Sequence, residues 1–125
     1  MTLPTILIVE DSATQAKQLA AQLAKHGLNI LIAEDGPDGL RAVDEHHPDA
    51  VILDVNLPTM TGYQVCRRLK RDEATSDIPV IMLTSSDSSD DTLRGLNVGA
   101  TDYIPKDSFA TENLVATLQA IGILT

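Results

Sequence analysis

Four consecutive aliphatic residues, Ile6-Leu7-Ile8-Val9, open the patterned part of the chain. A run that is apolar at every position suits a strand buried on both faces. The period then changes. From Ser12 to His26 the apolar positions Ala13, Ala16, Leu19, Ala20 and Leu23 share one helical stripe, Ser12 and Gln15 have the spacing of a capping box, and Gly27 suits the C-terminal turn. The alternation recurs. Leu28 to Ala33 reads as a second strand, and Gly36-Pro37 opens a helix running to about His47. Ala50 to Leu53 is a third strand, followed by Thr61 and Gln64, a second capping box, and a helix to about Asp72. Val80 to Leu83 is a fourth strand, and Asp87 to Val98 a helix ended by Gly99. Asp102 to Pro105 is a short fifth strand, and Thr111 to Ile121 a last helix with Leu114, Val115, Leu118 and Ile121 facing inward.

Five βα units in succession predict an α/β fold, a doubly wound parallel sheet with helices on both faces and right-handed crossovers. No linker or low-complexity tract divides the chain, so residues 1–125 are expected to form one domain. In such sheets ligands bind at the carboxyl ends of the strands, near the point where strand order reverses.

The residues at those ends are polar. Glu10 and Asp11 follow the first strand, Asp54 the third, Thr84 and Ser85 the fourth, and Lys106 the fifth. Taken singly, an acid after a strand often only caps the next helix. If the first, third and fourth strands are neighbours, three carboxylates meet a hydroxyl and one ammonium in a single pocket. Two like charges about 4 Å apart cost about 4 kcal/mol at an effective dielectric near 20, so a proton or a cation must relieve them. Lys106 alone cannot neutralise three. Oxygen ligands with no His or Cys nearby favour Mg2+ over zinc, and the pocket so neutralised can accept a phosphoryl dianion. Asp54 is then a carboxylate nucleophile able to form an aspartyl phosphate, with Mg2+, Lys106 and the Thr84 hydroxyl stabilising the phosphoryl oxygens. Asp11 is expected to bind the metal directly and Glu10 through water, while the backbone carbonyl of Asn56 supplies a further oxygen.

Composition narrows the alternatives. The 125 residues carry 9 Lys and Arg against 18 Asp and Glu, a formal charge of -9, which repels phosphate backbones. The densest basic stretch, Arg67, Arg68, Lys70 and Arg71, has the period of one solvated helix face, so nucleic-acid binding is not expected. A lone cysteine, Cys66, excludes an internal disulfide, fits a reducing compartment and reads as a small core hydrophobe. No apolar run approaches the length of a membrane span, and the first hydrophobic stretch lacks a basic start, so a cytoplasmic protein without membrane attachment is expected.

These residues together resemble the response-regulator receiver domain, the phosphoacceptor module of bacterial two-component signalling, and the similarity covers the whole chain. Glu10-Asp11 is similar to its acidic pair, Asp54 in "VILDVNLPTMTG" to its phosphorylated aspartate, and Pro58, Met60 and Gly62 to the turn that follows. Thr84-Ser85 resembles the hydroxyl switch residue with its small neighbour, and Lys106 the family's lysine. The resemblance implies a flavodoxin-like sheet in the order 2-1-3-4-5 with five helices. It also implies Mg2+-dependent, self-catalysed transfer of a phosphoryl group from a sensor histidine kinase or phosphotransfer protein to Asp54. Thr84 would then move toward the phosphoryl group and Tyr103 turn inward, remodelling the face of the fourth helix, fifth strand and fifth helix for a downstream target protein. Because the chain ends directly after the fifth helix, a stand-alone, monomeric regulator is expected. "VEDSATQ" and "KDSF" resemble receivers of chemosensory or pilus-motility systems.

One position departs from the family. Receivers commonly have proline after the lysine, joined by a cis bond, whereas Asp107 follows Lys106 here. A cis bond before a non-proline residue costs about 2.5–4 kcal/mol, so a trans Lys106–Asp107 peptide is expected. Pro105 precedes the lysine, which an edge strand tolerates. Two other classes compete. A small Mg2+-dependent aspartate-nucleophile phosphatase needs a second aspartate as general acid, where this chain has Asn56. A flavin carrier needs an uncharged first phosphate loop, where it has Glu10 and Asp11.

Overall fold

Strands β3 (Ala50–Asp54) and β4 (Val80–Thr84) are buried at every position, as strands covered on both faces must be. The computed structural model describes residues 2–85 and 98–125. With β1 (Thr5–Val9), β2 (Asn29–Ala33) and β5 (Asp102–Pro105), these strands form one parallel sheet in the order β2-β1-β3-β4-β5. Four helices are described: α1 (Ala13–Ala24), α2 (Gly36–His46), α3 (Gly62–Arg71) and α4 (Ala110–Ala120), the last being the fifth helix of the sequence reading. The helix expected over Asp87 to Val98 lies outside the described residues, except that Val98 itself is a buried turn residue.

Side chains alternate across the pleat, so each strand feeds two cores. Leu7, Val9, Val51, Leu53, Val80 and Met82 pack with Val43 of α2 and with Val65, Cys66 and Leu69 of α3. Ile6, Ile8, Ile52, Ile81 and Leu83 pack on the other face with Leu23 of α1 and with Leu114 and Leu118 of α4. Each such aliphatic contributes about 1.5–3 kcal/mol when fully buried.

Element ends differ modestly from the pattern. β3 and β4 each run one residue past their last aliphatic, because the ladder is a backbone property: Asp54 pairs with Leu83, and Thr84 with Pro105. Ala13 is exposed, and the buried face of α1 begins at Ala16. Pro105 sits on the edge strand, where no further ladder donor is needed. No peptide among the described residues is cis, so Lys106–Asp107 is trans, as expected.

The basic stretch of α3 needs a correction. Arg67, Arg68 and Arg71 are exposed, but Lys70 bends down and its Nζ donates to the carbonyls of Ser76 at 3.1 Å and Ile78 at 2.6 Å. Its charge secures the turn into β4 rather than facing solvent, because those carbonyls have no ladder partner.

Two consequences are measurable. A Cβ built on Gly62 would stand 2.3 Å from the carbonyl oxygen of Asp54, since the first turn of α3 packs directly on the end of β3. Gly62→Ala is therefore expected to cost about 2–3 kcal/mol in urea unfolding. Cys66 is the second case. Its thiol is fully buried and donates to the Val98 carbonyl at 3.5 Å; burial pushes it up to about 11, against the pull of the Lys70 charge. An acid whose pKa is raised by folding contributes stability below its unfolded value and loses it as pH rises through the folded one. The window runs from about 9 to about 11. Over it the wild type is expected to lose about 2 kcal/mol more stability than Cys66→Ala.

Candidate functional site

Parallel register delivers the polar residues to one end of the sheet. β1, β3 and β4 are adjacent, so Glu10, Asp54 and Thr84 stand side by side at their carboxyl ends. The polar ends are stitched by backbone: Glu10 N–H donates to the Ala33 carbonyl at 3.0 Å, Val55 N–H to Leu83 at 2.9 Å, and Lys106 N–H to Thr84 at 2.7 Å. Glu10, Asp54 and Thr84 are buried, while Asp11, Asn56 and Ser85 are exposed at the mouth.

Lys106 closes the pocket from β5. Its Nζ donates to Glu10 Oε2 at 2.6 Å and to Asp54 Oδ2 at 2.7 Å, bridging carboxylates from two different strands. The other oxygens of both acids are held by backbone: Asp54 Oδ1 accepts from Asn56 N–H at 3.0 Å, and Glu10 Oε1 from Ser12 N–H at 3.1 Å. The Asn56 carboxamide in turn donates to Ser85 Oγ at 3.4 Å, tying the loop after β3 to the end of β4.

Charge and burial pull against each other here. Burial pushes the Glu10 carboxyl above its ordinary value; the Lys106 and Ser12 hydrogen bonds oppose this, and the Asp54 charge adds to it. Burial alone would push the Lys106 ammonium down, but its hydrogen bonds to Asp54 and Glu10, together with their charges, outweigh that and leave it raised. Lys106 is therefore a firmly held cation. It is also too little charge for the site. Glu10, Asp11 and Asp54 each offer an oxygen, and these oxygens lie within 4.8 Å of one another. Among the described residues, three carboxylates against one ammonium make an oxygen-only donor set with excess negative charge, which fits a hard divalent cation. A cavity of about 420 Å3 opens beside it between α1 and α4, with Glu10, Gln15, Ser85 and Lys106 on its wall.

Every site residue anticipated from the sequence is described, and the structure brings Glu10, Asp11, Asp54 and Lys106 together. Tyr103 is half-buried, packs against the core on the α3 side, and brings its hydroxyl within 3.4 Å of that of Tyr63. Two participants were not anticipated. Tyr63 carries no sequence signal for this contact, forty residues from its partner in the chain. Gln15, which the sequence assigns to a helix cap, has its carboxamide oxygen 3.3 Å from Lys106 Nζ.

A family model described as "Response regulator receiver domain" matches residues 6–119. The chain belongs to the response regulator receiver family. This receiver is 41% identical over 116 residues to protein PilH of Pseudomonas aeruginosa, covering 93% of this chain and 95% of PilH. It is 44% identical to the phosphate regulon transcriptional regulatory protein PhoB of the same organism, but spans only 51% of that protein. Among solved structures, the Vibrio cholerae chemotaxis protein CheY4 superposes with a TM-score of 0.88 at 30% identity, covering 96% of this receiver and 99% of CheY4. The chain is thus a receiver domain of two-component signalling, a signalling module rather than a catalytic enzyme, and receivers work with a histidine kinase or phosphotransfer partner. Receivers bind Mg2+ at an acidic pocket, and Glu10, Asp11 and Asp54 form one. No helix among the described residues is long and apolar enough to cross a membrane.

Proposed function

We propose that this receiver accepts a phosphoryl group on Asp54 from the phosphohistidine of a histidine kinase or phosphotransfer protein. The observation that carries the reading is the Lys106 ammonium, 2.7 Å from Asp54 and 2.6 Å from Glu10, with Asp11 completing the acidic cluster. A carboxylate oxygen of Asp54 attacks phosphorus, the P–N bond breaks, and the imidazole nitrogen leaves with its electron pair and takes up a proton from solvent. The product is an acyl phosphate. Asn56 N–H orients the attacking carboxylate, and Lys106 is near enough to transfer its hydrogen bond from Asp54 to a phosphoryl oxygen. The Thr84 hydroxyl, at the end of the neighbouring strand, serves another phosphoryl oxygen. Asp11, Asp54 and the Asn56 carbonyl would hold Mg2+ directly and Glu10 through water; bound there, the ion supplies the positive charge that Lys106 alone lacks.

Thr84, Ser85 and Tyr103 form the switch in this reading. The phosphoryl group biases it by no more than its differential affinity for the two arrangements. The downstream partner protein binds the face of β5, α4 and the helix anticipated over Asp87 to Val98, which lies outside the described residues. Similarity to PilH and to the chemotaxis protein CheY4 supports a chemosensory or pilus-motility pathway. A phosphomonoesterase is disfavoured because the Asn56 carboxamide, whose N–H donates to Ser85, is far too weak an acid to protonate a leaving alcohol.

Acetyl phosphate with Mg2+ tests the proposal. The wild type should gain one acid-stable, hydroxylamine-labile phosphate, and chelation should prevent it. A wild type that takes no label under these conditions would sink the proposal.

A further inference from the structure

Two helices of this chain begin with the same capping signal, and only one of them completes it. At α3, Thr61 Oγ1 accepts from Gln64 N–H at 3.2 Å and Gln64 Oε1 accepts from Thr61 N–H at 2.9 Å, a reciprocal box. At α1, Ser12 Oγ accepts from Gln15 N–H at 3.3 Å, but Ser12 N–H donates to Glu10 Oε1 at 3.1 Å instead of to Gln15. The Gln15 carboxamide is thereby released from the cap. Its Oε1 accepts from Lys106 Nζ at 3.3 Å. The ammonium has three protons to give, and among the described residues Glu10, Asp54 and Gln15 are the acceptors around it.

These acceptors are not equivalent. Glu10 and Asp54 carry the negative charge that a divalent cation also needs, so a cation in the pocket competes with the ammonium for both. Gln15 is neutral and offers the cation far less. We propose that Gln15 is a positioning residue for Lys106: its carboxamide holds the ammonium beside Asp54 while the pocket's carboxylates are committed to a divalent cation. The inference rests on reading the pocket as a Mg2+-dependent phosphoacceptor site, and it explains why the first turn of α1 leaves its capping box half made.

The test needs no phosphoryl transfer. Hydrogen exchange of the Lys106 ammonium is followed by NMR in full-length protein, with and without saturating Mg2+, in the wild type, Gln15→Met, Gln15→Glu and Gln64→Met. Methionine keeps the length and the backbone N–H that caps Ser12 but removes the acceptor; glutamate keeps the acceptor. With Mg2+, Gln15→Met should exchange about fivefold faster than wild type, and Gln15→Glu, which keeps an acceptor and adds a charge, should exchange no faster than wild type. Without Mg2+, all should agree within about twofold, because Glu10 and Asp54 then hold the ammonium. Gln64→Met, which breaks a completed box, should lower the melting temperature by about 3 °C and leave Lys106 exchange unchanged, whereas Gln15→Met should leave the melting temperature within about 1 °C. Equal exchange in Gln15→Met and wild type with Mg2+, equal acceleration without it, or a wild type that binds no Mg2+ would each overturn the proposal. A wild type that binds Mg2+ and shows the expected exchange, yet never takes phosphate, would refute the phosphoacceptor reading alone.

Discussion

Asp54→Asn is expected to reduce phosphate incorporation from acetyl phosphate to the level of a blank, at least about a hundredfold below wild type. An amide nitrogen has no lone pair free to attack phosphorus, and the remaining carbonyl oxygen is a far weaker nucleophile than a carboxylate. The substitution is nearly isosteric. An asparagine Oδ1 can still accept from Asn56 N–H, as the Asp54 Oδ1 does at 3.0 Å, and Lys106 keeps Glu10 and Gln15 as partners. A circular dichroism spectrum matching wild type would therefore accompany the loss. Labelling of the variant to the wild-type level would place the acceptor elsewhere, with Asp11 the next carboxylate to test.

Lys106→Met is expected to act on stability and chemistry together. The methionine keeps most of the stem but strips Glu10 and Asp54 of their shared cation, leaving two buried carboxylates beside Asp11. Breaking a buried ion pair by removing one partner typically costs 3–5 kcal/mol. The Lys106 side chain is 23% exposed, so the lower end applies: about 3 kcal/mol, or a melting temperature about 10 °C lower. The sign of the Mg2+ response separates this from a packing defect. With no ammonium competing for the carboxylates, Mg2+ should stabilise the variant more than the wild type, recovering up to about 2.7 kcal/mol at a hundred times its dissociation constant. Phosphate incorporation should still fall about 100-fold in saturating Mg2+, because a donor to the phosphoryl oxygens is gone. Thermal melts across a Mg2+ series would decide; a variant no less stable than wild type in chelator would show that Lys106 is not the counter-ion.

Much of this pocket was legible because each of its residues follows an unambiguous strand. Ile6 to Val9 and Val80 to Leu83 are apolar without interruption, so a parallel sheet puts their polar ends on one side, and the strand order that the family resemblance implies makes them neighbours of β3, as the structure has it. Pro105 is tolerable in a strand at the sheet edge, and β5 lies there. What escaped was side-chain traffic. Ser12-x-x-Gln15 and Thr61-x-x-Gln64 are the same signal, yet the first glutamine is diverted because Glu10, held nearby on the buried end of β1, captures the Ser12 N–H. Lys70 looked like part of a solvated cationic face; its turn toward two carbonyls depends on the path of the chain between α3 and β4. Such choices are made by competition among partners that only the assembled fold supplies.

The contact between Tyr63 and Tyr103 has a practical consequence. The chain contains no tryptophan and only these two tyrosines, whose hydroxyls lie 3.4 Å apart between α3 and β5. Nearly all of the protein's ultraviolet emission therefore originates at one spot between α3 and β5. Rearrangement of the neighbouring strand ends can be followed optically in unlabelled material, in real time, with no dye to perturb it.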